Sequence, residues 1–380
     1  MPPRVAILPP VPVPYREPLF RALTDRGHVV PHVVYLAARQ PGWDQPESWF
    51  ADAEGYRSDV LESWQHSRPG RTPITVPRGI GKALARAQPD CVVSWEYGPA
   101  TVRALAWARR HGVPLVIFSE LTPWSDAGLP GLQLRLHGAL APRAAGFIVA
   151  SSQGRERLRG MGVDPDRAEV ALQNADLDSI RPATPAAGAR PVRILSVGRL
   201  VPAKNLDGLI RAFAEAGFDD GEAELELRGI GPLAGELGAL ADRLGVPALF
   251  PGAATPQELG DVYASAHALA LVSTYEPFGV TLREGAAAGL PLIASRRAGA
   301  VGDVAVEGEN ALVVDPDDRM GLVDAFRRIV REPELRERLA AGSRAVTERH
   351  PPEADAEAWE RAILRAVSSR QAGGARGPGL

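Results

Sequence analysis

The sequence contains very little cysteine and very little lysine. Its 380 residues include one cysteine, Cys91, and only two of the 43 basic residues are lysines, Lys82 and Lys204. A single cysteine excludes an internal disulfide framework and any metal site built from several thiolates, which is typical of a reducing compartment. An ammonium is a compact point charge that a forked guanidinium does not replace at a tight site. Each retained lysine is therefore a candidate functional residue, although the survival of both makes this a weak signal.

Long apolar runs are also missing. The apolar run from Val5 to Leu8 has four residues before prolines interrupt it, and no stretch of 18 apolar residues occurs. Signal peptides and membrane-spanning helices need longer runs, so we expect neither, and we expect a cytoplasmic protein. A net charge of −3 gives no whole-chain reason to bind nucleic acid, so we expect small molecules rather than nucleic acid as partners.

Short apolar runs alternate with longer amphipathic stretches along the chain, which is typical of parallel strands joined by crossover helices. A proline-rich segment without apolar periodicity interrupts this alternation. The sequence therefore predicts an α/β protein with two Rossmann-like, doubly wound domains facing a central cleft, where open parallel sheets bind ligands. The predicted parts are an N-terminal domain over 1–177, a linker over 178–191, a second domain over 192–352, a C-terminal helix over 353–367 and a disordered tail over 368–380.

Two glutamates flank the start of a predicted helix over 279–289. Glu276 lies in the loop before the helix and Glu284 lies inside it. Gly279 lets a ligand approach the backbone, and the free N–H groups of the first turn favour an anion such as phosphate. Carboxylates are good acceptors for hydroxyl groups, so this pattern suits a nucleotide sugar, whereas an isolated pair of glutamates at this spacing is usually only a solvated pair of charges.

Two cations follow the first strand of the second domain. The strand ends at Gly198, and Arg199 and Lys204 lie in the loop that leads to the next helix. This position places both charges at the carboxyl edge of the same sheet as the two glutamates. Paired cations suit a diphosphate whose negative charge grows as a bond to it breaks, and an ordinary loop with solvated charges is the alternative.

The order of these segments resembles the retaining GT-B glycosyltransferases of the glycogen synthase-like, "glycosyl transferases group 1" type. The matching pieces are SVGRLVPAKNLDGLIRAF, LELRGIGP, FPGAATPQEL, STYEPFGVTLREGAAAGLPLIAS and GENALVVDPDD, which cover most of residues 191–318. The resemblance implies a GT-B fold and a final helix that crosses back to the N-terminal domain.

The resemblance also implies roles for individual residues. Arg199 and Lys204 would contact the donor diphosphate, Glu276 the donor sugar and Glu284 the ribose. Backbone N–H groups near Gly198 and at the start of the helix would meet phosphate or sugar, the latter at Phe278, Gly279 and Val280. The implied activity is retaining transfer of a hexose-type sugar from a nucleotide-diphosphate sugar to a hydroxyl acceptor by same-face attack, without a glycosyl-enzyme intermediate. The acceptor would be a small molecule, a glycan or a lipid-linked molecule.

Two other function classes stay open. A nucleotide-sugar epimerase or a phosphorylase of the same fold would act on related ligands, and a non-catalytic partner of another transferase would bind the sugar nucleotide without turnover. A nicotinamide enzyme is less well supported. Gly229, Gly231 and Ala234 fit a dinucleotide fingerprint, but no acidic residue for the ribose follows about 20 positions later.

The N-terminal half matches this family less well. A proline-rich loop with Arg16 stands where many relatives carry a glycine-rich loop, and Glu120 stands where many have a histidine. Arg16 would face donor phosphate or acceptor, or would cap the following helix. Glu96 and Glu120, both at predicted strand ends, would bind acceptor hydroxyls or an acceptor amine, or would pair with arginines.

Evidence for a metal or a membrane surface is slight. The acidic segments 176–178 and 315–318 lie in turn-like sequence, and with two cations to balance the diphosphate we expect no metal and no cofactor other than the nucleotide sugar. The segment 135–160 holds five arginines and one glutamate, as an interfacial patch would, but a solvated helix surface is the simpler interpretation.

Overall fold

In this computed structural model the chain divides into two compact units. The structure describes residues 1–41, 55–66, 74–173, 175–185 and 188–374. The first unit contains residues 1–174 and 352–380, and the second contains residues 175–351. None of the described helices is both long enough and apolar enough to cross a lipid bilayer.

The first unit is built on a parallel sheet. Its strands are β1 (Arg4–Leu8), β2 (Val30–Tyr35), β3 (Arg57–Val60), β6 (Cys91–Trp95), β7 (Leu115–Ser119), β8 (Gly146–Val149) and β9 (Ala168–Val170), with an antiparallel hairpin of β4 (Ser63–His66) and β5 (Ile74–Pro77) beside them. The strand order is β3-β2-β1-β6-β7-β8-β9. Its helices are α1 (Glu17–Arg26), α2 (Ile80–Ala87), α3 (Pro99–Arg110), α4 (Pro123–Asp126), α5 (Gly131–Leu140), α6 (Ser152–Gly160) and α13 (Pro352–Gly374).

The second unit has a six-stranded parallel sheet. Its strands are β10 (Val192–Val197), β11 (Ala223–Arg228), β12 (Ala248–Gly252), β13 (Ala268–Leu271), β14 (Leu292–Ser295) and β15 (Ala311–Val314), in the order β12-β11-β10-β13-β14-β15. Its helices are α7 (Leu206–Ala216), α8 (Ala234–Leu244), α9 (Pro256–Ala264), α10 (Val280–Ala287), α11 (Arg319–Arg331) and α12 (Pro333–Arg349). This is the doubly wound order of a Rossmann-like domain, so the fold class expected from the sequence is confirmed.

The strand order creates a switch point in each sheet. In the first unit the chain leaves β1 toward one edge and later returns to β6 on its other side, and in the second unit the same happens at β10 and β13. The loops that follow these neighbouring strands diverge, which opens a crevice at the carboxyl edge of the sheet. Arg16 and Glu96 follow the first pair of strands, and Lys204 and Glu276 follow the second.

The helices of the second unit bury one apolar stripe each. In α7, the buried residues Leu206, Leu209, Ile210 and Phe213 recur at the spacing of one helix face. The helix stops at Gly217, which has a φ of +66° that suits glycine. Each large apolar side chain buried in this way contributes about 1.5–3 kcal/mol, so the stripe holds the loop before α7, with Lys204, against the sheet.

The linker and the last helix have boundaries that differ from those expected from the sequence. In the expected linker, the N–H groups of Ala183 and Thr184 donate to carbonyls of Ala288 and Ala264, so this part of the segment packs on the second unit. Residues 186 and 187 of that linker lie outside the described residues. The last helix, α13, groups with the first unit and continues to Gly374, past residue 367, where the sequence analysis ended it. Residues 368–374, assigned to a disordered tail, are therefore helical, and residues 375–380 lie outside the described residues.

The glycines of the supposed dinucleotide fingerprint have a packing role. A Cβ on Gly229 would lie 1.8 Å from the carbonyl oxygen of Gly198, and a Cβ on Gly231 would lie 2.3 Å from that of Leu200. The N–H of Leu200 also donates to the carbonyl of Ile230 at 2.9 Å. These glycines let the loop after β11 press against the loop after β10, which explains the motif without a nicotinamide cofactor.

We predict that Gly231→Ala destabilises the second unit. The added methyl group would force the two loops apart, at a cost of about 1–3 kcal/mol or more. Gly235→Ala is the matched control, because a Cβ at that position in α8 meets no atom within 4 Å. Thermal unfolding of the full-length variants measures both, and equal melting temperatures for the two variants would contradict the packing role.

Candidate functional site

Lys204 lies directly over the end of β10. A Cβ on Gly198 would lie 3.3 Å from Cε of Lys204, so glycine makes room for the lysine side chain. The Nζ of Lys204 donates a hydrogen bond to Oε2 of Glu276, and Ser273 Oγ donates to the same oxygen at 3.3 Å. The side chains of Lys204 and Glu276 are only 18% and 16% exposed. The structure therefore brings the predicted cation and the predicted sugar-binding carboxylate into one half-buried ion pair.

Backbone contacts fix the two loops that carry this pair. The N–H of Thr274 donates to the carbonyl of Ala203 at 2.9 Å, which joins the loop after β13 to the loop after β10. Asn205, in a left-handed conformation with a φ of +53°, donates through its side chain to the carbonyls of Val272 and Pro316. The sequence analysis did not single out Ser273 or Asn205. Both are polar residues in loops that follow a strand, but polar residues are common in loops and do not by themselves indicate a site.

The first turn of α10 begins beside Glu276. Gly279 precedes the helix with a φ of +96°, a conformation that favours glycine, and Phe278 is fully buried. Among the described residues, no hydrogen-bond acceptor lies opposite the N–H groups of Val280 and Thr281. Orphan N–H groups at a helix start, with the positive end of the helix dipole, favour an anion.

A second loop packs against this turn. The N–H of Ala300 donates to the carbonyl of Phe278 at 2.8 Å, and a Cβ on Gly299 would lie 2.0 Å from the carbonyl oxygen of Pro277. The segment after β14 therefore holds the helix start in place. Gly299 lies just beyond the quoted segment that ends at Ser295, and only the structure shows its packing role.

Glu284 lies one turn into α10 and has a buried partner. The hydroxyl of Tyr263, in α9, donates to Oε2 of Glu284 at 2.6 Å. Burial raises the pKa of the Glu284 carboxyl, Asp176 raises it further, and the Tyr263 hydrogen bond opposes this shift. The sequence analysis missed Tyr263, because an aromatic residue on an amphipathic helix is usually only a core residue.

Arg199 differs from the other predicted donor residues. Its side chain is exposed, and within the described parts of the chain it forms no ion pair or hydrogen bond. The structure thus joins Lys204 with Glu276 and leaves the Arg199 guanidinium in solvent, while its backbone carbonyl accepts from Val201 at 3.0 Å.

The first unit has its own charged cluster at the switch point. Arg16 donates to Oε1 of Glu120 at 3.1 Å, and its guanidinium lies 4.4 Å from the ring centre of Trp95. Arg16 is only 8% exposed and makes no side-chain cap to α1. Of the alternatives open from the sequence, helix capping is therefore not observed, and pairing between Glu120 and an arginine is.

Glu96 has a strained backbone and a perturbed carboxyl group. Its φ is +55°, and its carboxylate accepts from the N–H of Glu120 at 2.6 Å and from Ser119 Oγ at 2.7 Å. Burial, with a smaller contribution from the charge of Glu120, raises the pKa of Glu96 to about 7. A residue held this firmly and titrating near neutrality is a candidate functional group.

Arginines of the segment 135–160 form ion pairs and hydrogen bonds within the protein. Arg157 is buried, pairs with Asp126 at 2.8 Å and donates to Nδ1 of His137 at 2.9 Å. Arg159 pairs with Glu156, and Arg155 donates to the carbonyl of Ala168. Burial and the nearby Arg157 lower the pKa of His137 to about 4, so this histidine is neutral at physiological pH.

The acidic segment over 315–318 forms a turn held by arginines. Asp315 and Asp317 accept from Arg297, and Asp318 caps α11 through the N–H of Gly321 at 3.0 Å. Over the described ranges, no group of three or more histidine, cysteine, aspartate or glutamate side chains is arranged to hold a metal ion.

Comparisons with known proteins assign the chain to a family. The family model described as "Glycosyl transferases group 1" matches residues 181–346, and "Glycosyl transferase 4-like domain" matches residues 12–172. The lipopolysaccharide core biosynthesis glycosyltransferase LpsD of Rhizobium meliloti is 34% identical over 359 residues, which cover 93% of this chain and 94% of LpsD. The chain belongs to the glycosyl transferases group 1 family.

Other proteins match over shorter stretches or only in fold. The D-inositol 3-phosphate glycosyltransferase of Frankia alni is 31% identical over 268 residues, which cover 63% of this chain and 65% of that protein, so the match spans just under two thirds of the relative's length. Anabaena HepE, solved in complex with UDP and glucose, has a TM-score of 0.74 at 18% identity and covers 97% of this chain and 100% of its own. This likeness shows the fold, which is GT-B.

We predict that Glu96→Gln stabilises this glycosyltransferase family member at alkaline pH. The folded pKa of about 7 lies above the ordinary value of 4.5, so the native state binds more protons between these values and stability falls as pH rises through this window. This pKa shift corresponds to a loss of roughly 3 kcal/mol in the free energy of unfolding when the buried carboxyl ionises. Glutamine does not ionise, so the variant does not lose this free energy.

Denaturant unfolding at pH 5 and pH 8 tests this prediction. The stability gain of Glu96→Gln over the wild type should be larger at pH 8. Glu62→Gln, at an exposed position of the same unit, is the control and should show no such change. A gain for Glu96→Gln that is equal at the two pH values would contradict the assignment.

Proposed function

We propose that the protein is a retaining glycosyltransferase that moves a hexose-type sugar from a nucleotide-diphosphate sugar to a hydroxyl acceptor. The observation that carries this proposal is the half-buried pair of Lys204 and Glu276 beside the open N-terminus of α10. In this arrangement one cation and two free N–H groups suit a diphosphate, and the adjacent carboxylate suits sugar hydroxyls. Family membership and the UDP and glucose bound to the similarly folded HepE support the same reading.

A bound donor would replace the contact between Lys204 and Glu276 with contacts to its own groups. Lys204 would exchange its bond to Glu276 for the diphosphate, and Glu276 would then accept hydrogen bonds from the hexose. Glu284 would accept from the ribose, and the N–H groups of Val280 and Thr281 would donate to phosphate oxygens. Arg199, whose exposed side chain has no protein partner among the described residues, would turn onto the diphosphate when it binds.

The reaction would break the bond between the anomeric carbon and the diphosphate oxygen. The acceptor oxygen attacks the anomeric carbon on the same face, and the acceptor proton passes to the departing phosphate oxygen. Positive charge at Lys204 and Arg199 and the helix dipole of α10 balance the charge that develops on the leaving group. This balance requires no metal, so we expect activity to survive EDTA.

No carboxylate in this scheme acts as a nucleophile. The contacts of the Glu276 carboxylate within the described residues are with Lys204 and Ser273, which are suited to holding a hydroxyl-binding group still. Retaining glycosidases instead place two carboxyl groups about 5–5.5 Å apart, one of them to form a covalent intermediate. A sugar trapped covalently on Glu276 would overturn this mechanism.

The acceptor would bind to the first unit, at the carboxyl edge of its sheet. Arg16, Glu96 and Glu120 lie at that switch point and are the candidate acceptor-side residues. LpsD, which the chain matches along almost its full length, acts in lipopolysaccharide core biosynthesis. We therefore propose that the acceptor is a glycan or a lipid-linked molecule rather than a small molecule.

A two-stage experiment tests the function. Thermal shift across UDP, GDP, ADP and TDP sugars identifies the donor, because a bound ligand raises the melting temperature. NMR of the first product formed with an oligosaccharide acceptor then shows whether the anomeric configuration of the donor is retained. An inverted product contradicts the retaining mechanism, and a sugar altered without any acceptor indicates an epimerase. Donor binding without transfer across a broad acceptor panel indicates a non-catalytic partner.

We predict that Lys204→Ala lowers kcat/KM for the donor by about 10²–10³-fold, since it removes a charge aimed at the leaving group. The chain offers a matched control, because its only other lysine, Lys82, is exposed in α2. Lys82→Ala should leave turnover unchanged. Initial rates at subsaturating donor measure both variants, and a Lys204→Ala enzyme within threefold of the wild type would refute the assigned role.

A further inference from the structure

Tyr263 places a single polar atom against the proposed ribose-binding carboxylate. Its side chain is completely buried, and its hydroxyl donates to Oε2 of Glu284 at 2.6 Å. Hydrogen bonds from O–H to an ionised carboxylate have this length and are stronger than neutral ones. The buried ring fixes the hydroxyl in space, so the hydroxyl in turn fixes one oxygen of the carboxylate.

The other carboxylate oxygen has no hydrogen-bond partner in the part of the chain that the structure describes. Within the described residues, Oε1 of Glu284 accepts no hydrogen bond, and the side chain is partly exposed. A carboxylate accepts through both oxygens when ionised. One oxygen is thus committed to the protein, and the other is held in a defined direction with its acceptor capacity unused.

We propose that Tyr263 is a positioning residue that aims Glu284 at the ribose 2′-hydroxyl and thereby makes the protein select ribonucleotides over 2′-deoxyribonucleotides. This inference rests on the proposed function, which places the ribose at Glu284. Without the phenol hydroxyl, the carboxylate rotates about its side-chain bonds, and a ligand hydroxyl must order it on binding. That ordering cost falls only on ligands that carry the hydroxyl, so it reduces selectivity rather than binding in general.

The same hydrogen bond acts on the charge of Glu284. Burial and the nearby Asp176 raise the pKa of this carboxyl, and the Tyr263 hydroxyl holds it down by stabilising the ionised form. Removal of the hydroxyl raises the pKa further. Because the ionised carboxylate is the better acceptor, the pH below which ribonucleotide binding weakens should move upward in a variant that lacks the hydroxyl.

The test uses Tyr263→Phe in the full-length protein, which deletes one oxygen and keeps the buried ring. Calorimetric titrations with UDP, GDP and ADP and with their 2′-deoxy counterparts give the ratio of affinities for each pair. In the wild type we expect the ribonucleotide that binds best to exceed its deoxy form by about tenfold, the size of a hydrogen bond to a charged group. In Tyr263→Phe this ratio should fall to within about threefold, with the affinity for the deoxy form unchanged.

Four further variants separate positioning from a general structural effect. Tyr56→Phe is the matched control, because it removes the buried hydroxyl pair of Tyr56 and Tyr35 (2.9 Å) in the other unit and should leave the ratio intact. Glu284→Gln should lower the ratio, and the double variant with Tyr263→Phe should lower it no further. Site-specific 3-fluorotyrosine at 263, a more acidic phenol that keeps the ring, should preserve the ratio and move the acid limit of binding downward.

The outcomes distinguish this inference from the function on which it rests. If the wild type binds none of the diphosphates, the proposed function itself fails. If it binds them without preference for ribose, the roles of both Glu284 and Tyr263 fail while donor binding stands. If the wild type prefers ribose and Tyr263→Phe keeps the full ratio, only the positioning role of Tyr263 is overturned. Should Tyr263→Phe not fold, the opposite pH shift with fluorotyrosine decides, and an unshifted limit overturns the proposal.

Discussion

The ion pair between Lys204 and Glu276 depends on the switch point of the second sheet. The two residues are 72 positions apart and meet because β10 and β13 are neighbours whose following loops diverge. Neither charge is fully solvated, and a buried charge without a partner is costly. Each group therefore satisfies the other, and a ligand that carries both an anion and hydroxyl groups can replace both partners at once. A ligand with only one of these features would leave one of the two charges unpaired.

The first unit repeats this arrangement with different residues. Arg16 follows β1, and Glu96 follows the neighbouring strand β6, again at a switch point, while Glu120 follows β7. Here the cation is more deeply buried and stacks on an indole ring, which suits the weakly hydrated guanidinium better than an ammonium. The choice of lysine in one crevice and arginine in the other is consistent with the surroundings: Lys204 lies over Gly198 in a tight space, and the Arg16 guanidinium lies over the Trp95 ring.

The fold could be predicted from sequence because its signal is local. Apolar runs at strand length and helix-period stripes such as that of α7 appear in the chain itself, and the resemblance supplied the donor-side candidates, of which Lys204 and Glu276 pair in the structure. Contacts between distant residues could not be predicted. Arg157 looked like one cation of a surface patch, because nothing in its neighbourhood shows that it is buried against Asp126 and His137. Tyr263 looked like a core residue, and it is one; only the structure shows that its hydroxyl also donates to Glu284, 21 residues along the chain.

The departures from the family pattern in the N-terminal half form one connected structure. Glu120, at a position where the resemblance implies a histidine, accepts from Arg16, which lies in the proline-rich loop where the resemblance implies a glycine-rich one. The guanidinium rests on Trp95, and that ring packs on Phe118 at 3.9 Å and on Trp359 of the last helix at 5.9 Å between ring centres. A change in any one of these residues would leave a buried charge or an aromatic ring without its partner. Glu120 therefore belongs to one packed set, in which its carboxylate is the ion-pair partner of the buried Arg16.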